Sequence, residues 1–128
     1  MGSLASQRVR LWVSAGLVLS TFGGWYHNIQ EFPGMRLWAP EMLMTIVPAL
    51  GLLVWWWIRP GSTLVPVTAV WVLLSLIVGA FLTVLPLSVL PFQPEQTAEH
   101  YQAHLVYAVT QVPLLVVLAW LAGRLRRA

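Results

Sequence analysis

Four apolar runs of near-bilayer length, joined by short connections, leave this chain few ways to fold. They cover residues 11–29, 42–58, 64–85 and about 100–121. A helix rises 1.5 Å per residue, so about 20 residues cross the roughly 30 Å of hydrocarbon in a bilayer. Each run is near that length, and 42–58 is the shortest. Only 9% of the 128 residues are charged and 59% are hydrophobic, with a mean hydropathy of +0.77. That leaves too little polar surface to cover a compact unit in water. The expected fold is all-α: an integral membrane four-helix up-and-down bundle forming one transmembrane domain over 1–128. Its helices are predicted at about 11–30, 41–58, 64–85 and 98–122.

The connections fit that plan. Arg59-Pro60-Gly61-Ser62 is a tight turn, which predicts that helices 2 and 3 are antiparallel neighbours. The stretch 86–94 contains Pro86, Pro91 and Pro94 and is expected to be extended and stiff. Thr97, followed by Glu99 and His100, is a plausible N-cap for helix 4. The two halves share a hairpin plan but no residue pattern, which gives an inverted-repeat transporter little support. Pro48 and Pro113 fall inside helices, where each removes one backbone hydrogen bond; a tolerated kink is the simpler expectation.

Charge is strongly segregated. Arg8 and Arg10 precede helix 1, Arg59 lies between helices 2 and 3, and Arg124, Arg126 and Arg127 follow helix 4. An even number of spans puts these on one side, predicted to be the cytoplasm of a bacterial inner membrane, with both termini there. The other side holds Arg36 alone among the arginines, together with all four glutamates and all three histidines. Trp12, Trp55, Trp56, Trp57 and Trp120 are expected to ring the inner interface, and Trp25 and Trp38 the outer one. Arg8 and Arg10 before an apolar run superficially resemble a signal peptide, but Thr21-Phe22-Gly23-Gly24 offers no clean small-x-small site, so a retained first helix is expected. Arginines at helix ends, rather than on one exposed face, argue against nucleic-acid binding. The absence of cysteine excludes disulfide chemistry and thiolate metal sites.

Helical phasing selects the interior. Gly16, Ser20, Gly23 or Gly24, His27 and Glu31 recur at steps of three or four along helix 1. Glu41, Thr45 and Ala49 share a stripe on helix 2, as do Thr68, Ser75, Gly79 and Thr83 on helix 3. His100, His104, Tyr107 and Gln111 do so on helix 4. Small and polar residues belong inside a membrane bundle, where backbones approach and polar groups find partners.

His27 and Glu31 are spaced i, i+4, as are His100 and His104, and both pairs lie near the outer end of their helices. If helices 1 and 4 adjoin, imidazoles and carboxylates meet. One reading is a metal site using His27, His100 and His104, or a haem held between His27 and His104. A second is acid–base chemistry by His27, Glu31, His104 and Glu41, with Tyr107, Gln111, His100 and Trp25 binding substrate. In the third, Glu95, Glu99 and His100 are simply solvated at a helix end.

The expected function is acid–base or metal-assisted chemistry, of the isomerisation, cyclisation or hydrolysis class, on a lipophilic small molecule reached through the bilayer. The alternatives are a non-catalytic accessory or transport subunit of a membrane complex, through a homo-oligomer or a membrane partner subunit, and a haem-binding electron-transfer protein.

Overall fold

In the computed structural model, Leu4 and residues 6–127 are described; residues 1–3, 5 and 128, which the 1–128 domain also takes in, lie outside the described residues. Among the described residues there are four helices and no strand: α1 (Gln7–Glu31), α2 (Pro40–Ile58), α3 (Leu64–Val84) and α4 (Ala98–Leu125). Local chemistry marks the starts. The N–H of Val9 donates to Ser6 Oγ at the head of α1. Pro40 opens α2, where a missing N–H costs nothing. Thr97 Oγ1 accepts from the His100 N–H, the cap expected from the sequence.

Three of the four, α2, α3 and α4, are long and apolar enough to cross a membrane. Apolar residues dominate the middle of their outward faces, with Val47 and Leu50 on α2, Val70 on α3 and Val116 on α4 all more than half exposed, while the exposed polar residues Glu41, Glu99 and Gln102 sit toward the distal helix ends. The first helix is 25 residues long but falls short of the others in hydropathy, because Ser14, Ser20, Thr21, Asn28 and Gln30 interrupt its apolar run.

The tightest seam joins α1 to α4. Gly16 lies against Leu114, Gly23 against Thr110 and Ser20 against Gln111. Rising numbers on α1 meet falling numbers on α4, so the two are antiparallel. A Cβ on Gly23 would stand 1.8 Å from Thr110 Oγ1, so only glycine permits this approach. Gln111 is fully buried. Its carboxamide accepts from Ser20 Oγ at 2.5 Å and donates to the carbonyls of Ser20 and Tyr107, each at 3.2 Å.

On either side of this pair, α2 packs on α1 and α3 packs on α4. The predicted neighbours α2 and α3 meet only weakly. They are joined close to their shared turn, where the Trp56 indole N–H donates to Thr68 Oγ1 at 2.9 Å. The small-residue seam of α1 and α4 sets the spacing, and the tight 59–62 turn binds α2 to α3 at one end alone. Trp56 is therefore a buried core residue, not a member of an interfacial ring.

A second departure lies in α3. The helix is regular to Leu74, then widens into π turns over Ser75–Phe81 and tightens into a 3-10 turn at Leu82–Val84. Widened turns reorient carbonyls away from the regular ladder and recur at functional positions.

The end carrying the 59–63 turn and both described termini is an apolar core of Val13, Leu17, Trp56, Leu64, Val72 and Leu114. The opposite, distal end holds the histidines and Glu31. If the α1–α4 seam depends on glycine, Gly23→Val should lower unfolding free energy by about 1–3 kcal/mol. Thr110→Ala in the same chain should recover part of that loss; thermal unfolding in detergent measures both.

Candidate functional site

At the distal end the antiparallel register brings α1 and α4 residues into two facing rows. Glu31 meets His100, whose Nδ1 lies 2.7 Å from Glu31 Oε2. One turn deeper, His27 Nε2 lies 3.0 Å from His104 Nε2, with the rings edge to face. His100 and His104 are buried, and their ring centroids are 4.5 Å apart. The expectation that His100 is a solvated first-turn residue is thus corrected: the seam carries it inward, against Glu31.

The protonation of the deeper pair follows from its neighbours. His104 Nδ1 lies 2.9 Å from the Ala80 carbonyl of α3, which can only accept, so the proton is on Nδ1. Asn28 settles His27. Its Nδ2 reaches the Glu41 carbonyl at 3.2 Å and Thr45 Oγ1 at 3.4 Å, so the amide nitrogen must point there. That leaves Asn28 Oδ1 3.2 Å from His27 Nδ1, which therefore donates. Two neutral imidazoles so arranged bring two unprotonated Nε2 atoms to 3.0 Å from each other.

These groups form the floor of a cleft of about 540 Å³. All four helices line it, and it extends through the gap between α2 and α3, where Met44, Leu74 and Val78 form an apolar, exposed rim. Tyr107 lies along one wall, its ring 5.4 Å from that of His27. Gly79 admits that ring, since a Cβ there would stand 2.7 Å from Tyr107 Cε1. A second, more polar recess of about 630 Å³ lies beside the first, lined by Glu95, Glu99 and Gln93. Glu31 and His100 line both.

No protein-family model, curated protein or solved structure matches this chain. Its chemistry has to be read from the site alone.

The structure brings together His27, Glu31, His100, His104 and Tyr107. Glu41 stands at the cleft margin with an exposed side chain, and its backbone carbonyl is the part engaged. Gln111 lies outside the cleft lining and bonds α4 to α1 instead. Trp25 is also absent from the lining and packs on Phe22 along the same helix. The two imidazole nitrogens are too close, and α1 and α4 too tightly packed, for a macrocycle to lie between His27 and His104 in this conformation.

Three contributors were not singled out from the sequence: Asn28, Trp71 and the Ala80 carbonyl. Asn28 carries a signal, being a polar residue four beyond Gly24 on the small-residue face; a backbone carbonyl carries none. The assigned tautomers predict that neutral His27 and His104 both appear as Nδ1–H imidazoles in long-range 15N correlation spectra. Asn28→Leu should convert His27 to the Nε2–H form while leaving His104 unchanged.

Proposed function

We propose that this protein is a four-span membrane protein that carries out acid–base or metal-assisted chemistry on a lipophilic small molecule. The reaction class is isomerisation, cyclisation or hydrolysis. One observation carries the reading: His27, Glu31, His100 and His104 converge on the floor of a cleft whose rim is apolar and lies between two membrane-length helices. A soluble substrate has no need of such a rim, whereas a molecule dissolved in the bilayer can slide in between α2 and α3.

The fourth span in this reading is α1. Its polar side chains turn to neighbouring helices, Ser20 and His27 to α4 and Ser14 and Asn28 to α2, while Leu11, Trp12, Val18 and Phe22 face outward. At about 1.5 Å per residue its length is sufficient for a bilayer. The arginines at 8, 10, 59, 124, 126 and 127 support an orientation with both termini in the cytoplasm and the site toward the opposite leaflet.

Glu31 is the proton-handling group. It borders both the cleft and the polar recess, so it can exchange protons with water while facing a bound molecule. His100 holds its carboxylate through the 2.7 Å contact. Among the described residues, the Nε2 of His100 is buried without a hydrogen-bond partner. An unmade bond of that kind costs about 1–3 kcal/mol, which a polar group on the substrate can recover. Tyr107 supplies a flat wall for an apolar body.

The test uses protein in proteoliposomes incubated with a hydrophobic cell extract, with products read by mass spectrometry. A species consumed by the wild type should persist with Glu31→Gln and with His104→Ala, each slower by about 10²–10⁴-fold. Helicity and thermal unfolding should stay close to wild type in Glu31→Gln. Loss of assembly or stability in both variants, with no species consumed by the wild type, would instead identify a non-catalytic accessory or transport subunit.

A further inference from the structure

The contact between His27 and His104 needs an explanation that the proton-transfer reading does not supply. Both Nδ1 atoms are committed to oxygen acceptors, Asn28 Oδ1 and the Ala80 carbonyl. Each neutral ring then has only a lone pair left on Nε2, and the two unprotonated nitrogens lie 3.0 Å apart. Two acceptors at hydrogen-bond distance repel unless a positive charge lies between them. The surrounding seam does not let the rings drift apart, because α1 and α4 are locked at Gly23–Thr110 and Ser20–Gln111.

We infer that the positive charge is a divalent first-row transition metal ion, held by His27 Nε2, His104 Nε2 and the Glu31 carboxylate. Four observations point there. One ligand atom from each of these residues lies within 4.8 Å of the other two. Metal–nitrogen bonds of about 2.05 Å that meet at about 94° span the observed nitrogen separation. That angle suits adjacent positions of an octahedron; a tetrahedral site at about 109° needs about 3.3 Å. Two histidines and one carboxylate on one face of an octahedron leave open positions, and these would point into the cleft.

The groups behind the ligands agree as well. A metal-bound imidazole almost always donates its other ring N–H to a carbonyl or carboxylate, which fixes the tautomer. Here both rings do so, each to an oxygen from a different residue. Glu31 is in turn held by the His100 Nδ1–H. In this arrangement His100 is a positioning residue and not a ligand, so the sequence-based set of His27, His100 and His104 changes by one member.

The metal site uses the same side chains as the proposed reaction, and the two can fail separately. Tag-free protein in detergent is stripped with chelator, reloaded with Cu²⁺, Co²⁺, Fe²⁺ or Zn²⁺, and assayed for bound metal. We expect one metal per chain, and a Cu²⁺ electron paramagnetic resonance spectrum split by two nitrogens. His27→Gln and His104→Gln should each reduce that to one nitrogen with helicity unchanged. Asn28→Leu, which touches no ligand atom, should weaken metal affinity by roughly 10–100-fold. One-to-one binding without any turnover would support the metal site while counting against the reaction. Substoichiometric binding by folded protein would overturn the site, as would a spectrum unaffected by either histidine variant. A 15N spectrum of metal-free protein showing one proton shared between the two Nε2 atoms, together with turnover that survives chelation, would overturn the metal and leave the reaction standing.

Discussion

The close approach of α1 to α4 is the constraint on which the rest of this molecule depends. Where Gly16 and Gly23 face Leu114 and Thr110, one helix backbone rests almost directly on the side chains of the other. Such contact tolerates one register. Ser20 and Gln111 then fix it with hydrogen bonds made away from water, where an unmade bond is costly. Once this register is set, His27 has to meet His104 and Glu31 has to meet His100, because each pair lies one or two turns farther along the same two faces. The site inherits its geometry from packing that contains none of its own histidines or Glu31.

The third helix supplies what the pair cannot. A regular α3 would keep its carbonyls in its own hydrogen-bond ladder, and His104 would find no acceptor from that side. The π turns over Ser75–Phe81 loosen the ladder at the depth of the site, and the Ala80 carbonyl turns to His104 Nδ1. The same widened stretch contains Gly79, which makes room for Tyr107. One local irregularity thus orients an imidazole and seats an aromatic wall.

Much of this was legible in the residues. The stripe of Gly16, Ser20, Gly23, His27 and Glu31 was visible because small and polar positions recur at helical spacing, and the structure turns that stripe toward α4. The start of the last helix was legible in Thr97, which caps it as expected. What could not be read were effects that arise between elements. His100 looked like a surface residue of a first turn, since its burial depends on Glu31 arriving from another helix. Trp56 was grouped with Trp55 and Trp57 because a run of three tryptophans at a helix end suits an interface; its partner Thr68 lies across a turn. Nothing in an apolar stretch from 64 to 85 announces a widened turn, because its cause is the demand of neighbouring side chains. A tight turn makes α2 and α3 neighbours where it joins them and carries no information about their packing farther along.

That last pair has a mechanical side. Trp56 and Thr68 pin the two helices near one end, and Met44 on the cleft rim lies 12 positions from Trp56 along α2. Toward the distal end each helix is tied to a different neighbour, α2 to α1 through Asn28 and α3 to α4 through the Ala80 carbonyl, so the mouth of the cleft opens where two helix pairs part, above a floor that lies on the seam between them.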